Sequence, residues 1–144
     1  MDIVVAVDGS ELAEQTLQGA AEQARFRQAT LHVIHVVYVP ASAMAGMPFM
    51  PSNLVESNYE LAETVRISVW ERVRAHLEGS EVKWIQVDRS GYPPDEIVDY
   101  ANSVKADLIV LGNRGLGSLE RLFLGSTSHR VSHLARCDVL IVKG

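Results

Sequence analysis

The chain of 144 residues is poor in cysteine, in long apolar runs and in excess charge. Cys137 is its only cysteine, so neither an intrachain disulfide nor a cysteine cluster for zinc can form. A net charge of −5, from 13 basic and 18 acidic residues, argues against nonspecific binding to nucleic acid. The apolar run at residues 3–7 is far too short for a signal sequence or a membrane span. We therefore expect a cytoplasmic protein with no nucleic-acid or membrane partner.

The composition that remains is that of an ordinary soluble globular protein. Hydrophobic residues make up 47% of the chain and charged residues 22%. A chain of this length is expected to form one domain, here residues 1–144, with a core of its own.

Short runs rich in β-branched residues alternate with stretches of helical spacing. The first run, residues 3–7, is continuous and apolar, which is typical of a strand covered on both faces. We predict five strands, at residues 3–7, 30–39, 82–87, 108–111 and 139–142. Alternation of strands and helices implies right-handed crossovers, hence a three-layer, doubly wound α/β domain around a parallel sheet.

The helices are predicted from their capping residues and apolar spacing. Ser10 is a typical N-cap residue for the first helix, and Asn53 with Glu56 resembles a capping box for the second. The second helix should reach about residue 77, with an inner stripe formed by Leu61, Ala62, Val65, Val69, Val73 and Leu77. Pro94 is expected at the first position of the third helix. Residues 40–51 contain three prolines and a glycine, so we expect a surface loop there.

A glycine-rich segment follows the fourth predicted strand. Its spacing is Gly112, two residues, Gly115, nine residues, and then Gly125-Ser126. Glycines allow backbone amides to approach an anion closely, and a helix start adds unpaired N–H donors. No Gly-Lys-Ser or Gly-Lys-Thr follows, and the turn after the first strand lacks a dinucleotide fingerprint. The segment therefore predicts a phosphate site built mostly from backbone.

This spacing matches the nucleotide-binding motif of the universal stress protein family. The resemblance extends over nearly the whole chain, through residues 3–10, 31–36, Gly91 with 94–97, and 131–142. It implies a sheet of order 3-2-1-4-5, in a fold similar to the adenine nucleotide alpha-hydrolases. In the subgroup that keeps the glycine motif, it also implies bound ATP, with or without Mg²⁺.

The resemblance places the family's nucleotide-contacting positions on Asp8, Val36, Leu111, Gly112, Gly115, Gly125, Ser126 and Thr127. The glycines and Ser126 would hold the phosphates and the ribose. Asp8 would contact the nucleoside or a metal–water shell, and Val36 would offer backbone groups and an apolar wall to adenine. Leu111 and Thr127 would line the site.

The last predicted strand, Val139 to Val142, would be an unprotected apolar edge, which invites pairing with another chain. Members of the resembled family commonly dimerise through this strand. We therefore expect a homodimer with Val139–Val142 at its centre.

We expect a regulatory binding protein rather than an enzyme, with slow ATP hydrolysis or autophosphorylation as the upper limit. The sequence contains no recognisable general base or Walker-type magnesium site. His129 and His133 stand one helical turn apart but have no nearby third ligand, which favours surface histidines over a metal site. Ser126 or Ser128 with His129 and Asp138 does not resemble a nucleophile elbow.

Several alternatives remain open from the residues. The glycines could form only a tight strand-to-helix connection, Asp8 could only cap the first helix, and Val36 could be only core. A stress protein that binds no nucleotide would then act as a dimeric scaffold.

A receiver-like signalling domain is suggested by Asp8 and Asp88, each placed after a predicted strand, although receivers pair two acids after the first strand. A nucleotidyl-transfer enzyme would need a His-rich turn where Gly9-Ser10 stands.

Overall fold

Five parallel strands form one sheet in the order β3-β2-β1-β4-β5. The computed structural model describes residues 1–39, 52–113 and 125–144, and the side chains of residues 52–56 are not among the described groups. The strands are β1 (Asp2–Ala6), β2 (Thr30–Tyr38), β3 (Trp84–Gly91), β4 (Leu108–Gly112) and β5 (Asp138–Val142). The helices are α1 (Ala13–Arg27), α2 (Ser52–Leu77), α3 (Pro93–Val104) and α4 (Ser126–Leu134).

Helices cover both faces of the sheet and enclose two apolar cores. Alternate strand residues point to opposite faces, so Ile3 and Val5 pack towards α1 and α2 while Val4 packs towards α3 and α4. Trp70 is the largest fully buried side chain on the first face. The three-layer parallel sheet and its order confirm the predicted fold.

The strand order reverses beside β1, which pairs with β2 on one side and β4 on the other. Ligands of such sheets bind at this switch point, beyond the carboxyl ends of the strands. The register of β1 and β2 runs only to the pair Ala6 and Ile34, although β2 continues to Tyr38. The longer β2 therefore forms one wall of a space in front of β1.

Several predicted boundaries are corrected. The N-cap of α1 is Leu12 rather than Ser10, because Ser10 belongs to a turn in which its carbonyl accepts the Ala13 N–H at 3.2 Å. Strand β3 begins at Trp84 and runs to Gly91, since it pairs with β2 along that whole length. Helix α3 begins at Pro93, one residue before the predicted Pro94.

The predicted inner stripe of α2 is wrong at Leu61, which is 64% exposed. The buried positions of the helix are Val69, Trp70, Val73 and Leu77, near its C-terminal end. Helix α2 has 26 residues and is therefore about 39 Å long, longer than the strands it covers. Its early turns extend past the apolar face, so helical spacing alone does not bury Leu61. The predicted Asn53–Glu56 capping box and the loop at residues 40–51 lie outside the described groups.

Candidate functional site

A cleft of about 730 Å³ opens at the carboxyl ends of β1, β2 and β4. Its volume lies within the range of about 300–1,000 Å³ that is usual for small-molecule sites. It reaches from the start of α4 on one side to the end of β2 and the start of α3 on the other. The two ends of the cleft differ in chemistry.

The polar end is the N-terminus of α4, where Gly125, Ser126 and Thr127 line the cleft. The first N–H groups of a helix have no partner within it and carry the positive end of its dipole. Gly125 is the N-cap residue, and its carbonyl accepts the first helical hydrogen bond, from His129 N–H at 2.9 Å. The N–H groups that precede His129 in α4 are therefore suited to an anion.

Two hydrogen bonds hold the start of α4 against the end of β4. We call this connection, which joins Gly112 and Asn113 to Gly125 and Ser128, the stem. Gly125 N–H donates to the Asn113 carbonyl at 2.6 Å, and the buried Ser128 hydroxyl donates to the Gly112 carbonyl at 2.5 Å. Asn113 N–H in turn donates to the Val142 carbonyl of β5 at 2.8 Å. This stem brings Gly112 and Gly125, distant in sequence, to one edge of the cleft.

Gly112 has a packing reason to lack a side chain. A Cβ atom there would meet Leu12 Cδ2 at 2.8 Å and Thr16 Oγ1 at 3.0 Å. Thr16 is buried, and its hydroxyl donates to the Leu12 carbonyl. The first glycine of the motif therefore allows α1 to approach β4 as well as lining the cleft.

Asp8 follows β1 and lines the middle of the cleft. Its Oδ1 accepts the Ser10 N–H at 2.9 Å, which fixes the turn before α1. Because α1 begins at Ala13, this contact shapes a turn rather than capping the helix. Asp8 is the one charged side chain among the described residues that line the cleft.

The other end of the cleft is largely apolar. Ile34, Val36 and Tyr38 of β2 alternate onto one face of the sheet, opposite Ile97, Pro93 and Tyr92 at the start of α3. The Ile34 carbonyl accepts Val7 N–H at 3.0 Å on the β1 side of the strand. Strand hydrogen bonds alternate in direction, so the backbone of Val36 points to the same side, beyond the last registered pair with β1.

Most of the predicted site residues meet at this cleft, namely Asp8, Val36, Leu111, Gly112, Gly125, Ser126 and Thr127. Gly115 lies outside the described residues. Sequence reasoning missed other lining residues, among them Ser10, Ala13, Thr16, Tyr38, Tyr92, Pro93, Ile97 and Ser128. The available signal for Tyr38 was an aromatic residue near the end of the second predicted strand, and for Tyr92 it was an aromatic residue directly before the Pro93-Pro94 pair at the start of the third predicted helix.

The receiver-like alternative is contradicted. Receivers have the sheet order 2-1-3-4-5, whereas this sheet has the order 3-2-1-4-5. Asp88 lies within the edge strand β3, where its carboxylate accepts Trp70 Nε1–H at 2.8 Å and pairs with Arg66 at 3.3 Å. Partial burial raises the pKa of Asp88, but hydrogen bonds from Gln86 and Trp70 and the charge of Arg66 outweigh it and lower the net pKa. Asp88 therefore has a structural role.

Two further polar clusters suggested by the sequence, the α4 histidines and the serines at the start of that helix, lie among the described residues. The rings of His129 and His133 lie 4.6 Å apart on α4, and no group of three or more potential metal ligands occurs within residues 1–39, 52–113 and 125–144. The Ser128 hydroxyl is committed to the Gly112 carbonyl. Of the helices in the described part of the chain, none is long and apolar enough to cross a membrane.

The sheet order and the cleft at its switch point define an α/β protein of the adenine nucleotide alpha-hydrolase-like kind. The family model of the universal stress proteins matches residues 1–143, and the chain belongs to that family. A curated relative, universal stress protein YxiE of Bacillus subtilis, is 31% identical over 98% of this chain and 97% of its own. A universal stress protein of Thermus aquaticus is 36% identical, over 98% of this chain and 97% of its own.

Solved structures of the family share the fold. Universal stress protein UspA from Lactobacillus plantarum superposes with a TM-score of 0.83 at 27% identity, covering 99% of this chain and 97% of its own. A universal stress protein from Archaeoglobus fulgidus in complex with dAMP has a TM-score of 0.63 at 30% identity, covering 99% and 98%. A universal stress protein in complex with cAMP has a TM-score of 0.64 at 26% identity, covering 99% and 96%.

Proposed function

We propose that this chain is a cytoplasmic universal stress protein that binds ATP in the cleft and acts as a regulatory binding protein. The observation that carries the proposal is the stem, which places the N-terminus of α4 at the polar end of a nucleotide-sized cleft. An anion is favoured at that end, and an apolar ring is favoured at the end walled by β2 and α3. An adenine nucleotide has both groups in one molecule.

In this proposal each predicted residue has a separate role. Backbone N–H groups of Gly115 and Ser126 hold the phosphates, with Gly125, the Ser126 hydroxyl and Thr127 beside them. Gly112 and Leu111 form the floor beneath the ribose. Asp8 accepts hydrogen bonds from the ribose hydroxyls or from water on a magnesium ion. The Val36 backbone meets the polar edge of adenine, and its side chain packs on the ring.

The comparisons support an adenine nucleotide in particular, and the lining of the cleft indicates how its phosphates would be held. Two structural neighbours in the same family were solved in complex with dAMP and with cAMP. The described lining residues include an acidic side chain, Asp8, and no basic one, so the phosphates would rely on backbone donors. A triphosphate beside Asp8 would be favoured further by Mg²⁺, which neutralises part of its charge.

Binding can be tested by mass spectrometry of the native protein for copurified nucleotide and by calorimetric titration with ATP and AMP. We expect ATP to bind, more tightly with Mg²⁺ present. Replacing Gly115 with valine should abolish binding while the circular dichroism spectrum stays unchanged, and Gly144→Val at the exposed last residue is the matched control. A wild-type protein that binds neither nucleotide at millimolar concentration would leave the dimeric scaffold as the function.

We also propose that two copies pair through β5, the edge strand beside β4. Leu140 is 36% exposed there, and Val139, Ile141 and Val142 are half-buried. The opposite edge, β3, presents the exposed charged residues Asp88 and Arg89. Asp138 at the start of β5 is exposed too, but residues 139–142 carry no charge. Charges protect an edge strand from pairing, and this apolar stretch lacks that protection, which favours β5.

A further inference from the structure

Two tyrosines stand together at the apolar end of the cleft. Tyr38, the last residue of β2, is 58% exposed, and Tyr92, the N-cap residue of α3, is 45% exposed. Both line the cleft, and their ring centroids lie 6.2 Å apart with 57° between the ring planes. Neither ring contributes to the buried core, so core packing does not account for two adjacent exposed aromatic residues here.

Backbone contacts position both tyrosines, Tyr38 at the end of β2 and Tyr92 directly after the end of β3. Tyr38 pairs in register with Gly91, and the next residue, Val39, donates its N–H to the Gly91 carbonyl at 3.0 Å. Gly91 has a φ of 147°, and a Cβ atom there would lie 2.8 Å from Glu96 Oε1. A glycine is therefore required where β3 turns into α3 and delivers Tyr92 beside Tyr38.

Arg130 of α4 lies over the ring of Tyr92. Its guanidinium carbon lies 5.5 Å from the ring centroid, within cation–π distance. Its Nε–H donates to Asp95 Oδ1 at 3.0 Å, and this hydrogen bond raises the pKa of Arg130. Arg130 thereby joins the helix at the polar end of the cleft to the aromatic ring at the other end.

We infer that Tyr38 and Tyr92 form an aromatic corner that stacks against the nucleobase, and that Arg130 is the positioning residue for Tyr92. The two rings already contact each other as a tilted pair, so the base stacks on the open side of the corner rather than between the rings. The inference rests on the proposed function, because it assigns one end of the same cleft to the base.

Stacking suits the chemistry of this end. Every nucleobase has a π-face that can pack on an aromatic ring, whereas a phosphate gains nothing from one. The helix N-terminus that favours phosphate lies at the opposite end, at Gly125–Thr127. The corner should therefore contribute to binding of the base and leave binding of the phosphates unchanged.

The test is calorimetric titration of the full chain with ATP and with inorganic tripolyphosphate. Tyr38→Ala and Tyr92→Ala should each weaken ATP binding by about 5- to 150-fold, the range for loss of one base–aromatic stack. Tripolyphosphate affinity should not change. Tyr38→Phe and Tyr92→Phe keep a ring and should retain ATP affinity, and Tyr59→Ala, a 72% exposed tyrosine on α2, is the matched control.

A double-mutant cycle tests the role of Arg130. Arg130→Ala should weaken ATP binding in the wild-type background and have no further effect once Tyr92 is alanine, because its contribution passes through that ring. An equal effect in both backgrounds, or a loss of tripolyphosphate affinity, would assign Arg130 to another contact and overturn its positioning role.

The outcomes separate this inference from the proposed function. If wild-type protein binds ATP and the alanine variants bind it equally well, the aromatic corner is wrong and the nucleotide site stands. If the alanine variants lose tripolyphosphate affinity as well, the tyrosines act on the whole cleft and the base assignment is overturned. If wild-type protein binds no adenine nucleotide, both proposals fail together.

Discussion

At the scale of single residues, Gly112 joins two requirements at one position. It lines the cleft, and its lack of a side chain leaves room for Leu12 and Thr16 at the start of α1. A motif glycine is usually considered for what it does to a ligand. Here the neighbouring helix imposes a constraint that would exist without any ligand.

We expect Gly112→Ala to destabilise the fold by roughly 1–3 kcal/mol, as overpacking of a core position does. Urea denaturation measures the change. Leu12→Ala should relieve the clash at Leu12 Cδ2, so the double variant should lose less stability than the sum of the two single losses. Strict additivity would contradict this explanation of the glycine.

The Asp88 carboxylate should make the free energy of unfolding fall as the pH is lowered through the acid range. Because its pKa in the folded protein lies below that of the unfolded chain, its contribution is present above an unfolded pKa of about 3.9 and is lost as the pH falls through the folded value. Thermal unfolding from pH 6 to pH 2 should show this loss. Asp88→Asn should reduce the slope of the unfolding temperature against pH in the acid range. An unchanged slope would show that the Asp88 carboxylate does not cause the loss.

At the residue scale, the sequence predicted positions whose spacing the family motif specifies and missed positions defined by geometry. Asp8 and Leu111 lie near strand ends, which local patterns predict, whereas Val36 was assigned from the family resemblance alone. Thr16 and Ile97 reach the cleft from helices on opposite faces of the sheet. Their position depends on how those helices cross the sheet, which spacing along the chain does not encode.

At the scale of elements, a buried polar cluster ties α3 to the sheet. His32 of β2 is buried, with Nε2 2.9 Å from Asp2 Oδ1 and Nδ1 2.8 Å from the Tyr100 hydroxyl. A carboxylate only accepts, so Nε2–H of His32 donates to Asp2 Oδ1, and the Tyr100 hydroxyl is the hydrogen-bond partner of Nδ1. Burial raises the pKa of Tyr100, which keeps the hydroxyl protonated.

Tyr100→Phe should therefore cost about 1–3 kcal/mol of unfolding free energy, because it leaves the Nδ1 atom of His32 without its hydrogen-bond partner. Chemical denaturation measures the loss. Tyr59→Phe on the exposed surface of α2 removes the same atom where nothing is buried, and it should change stability very little. Equal losses in the two variants would show that the His32 contact contributes nothing.

The sequence predicted which segments form strands and helices, but it did not predict where each of them begins and ends. Every predicted strand is present, because apolar periodicity is a local property. The extra residues of β3 up to Gly91 depend on pairing with β2, and the exposure of Leu61 depends on where the sheet ends below α2. Both are set by contacts between distant segments.

At the scale of the whole molecule, the two borders of the sheet differ in character. If copies pair through β5, Leu140→Lys should convert the dimer to a monomer, because a lysine on an edge strand opposes pairing. Light scattering coupled to size exclusion measures the mass. Ile85→Lys replaces a 41% exposed apolar residue on β3 and should leave the dimer intact. A monomeric wild-type protein at micromolar concentration would refute the dimer.

The stem between β4 and α4 has a consequence for how the protein tolerates substitution. Its hydrogen bonds are made by main-chain groups of Asn113 and Gly125 and by one side chain, the hydroxyl of Ser128. Loss of the Ser128 hydroxyl would remove the one side-chain contact of the stem, and the main-chain bond between Gly125 and Asn113 would remain to hold α4 beside β4.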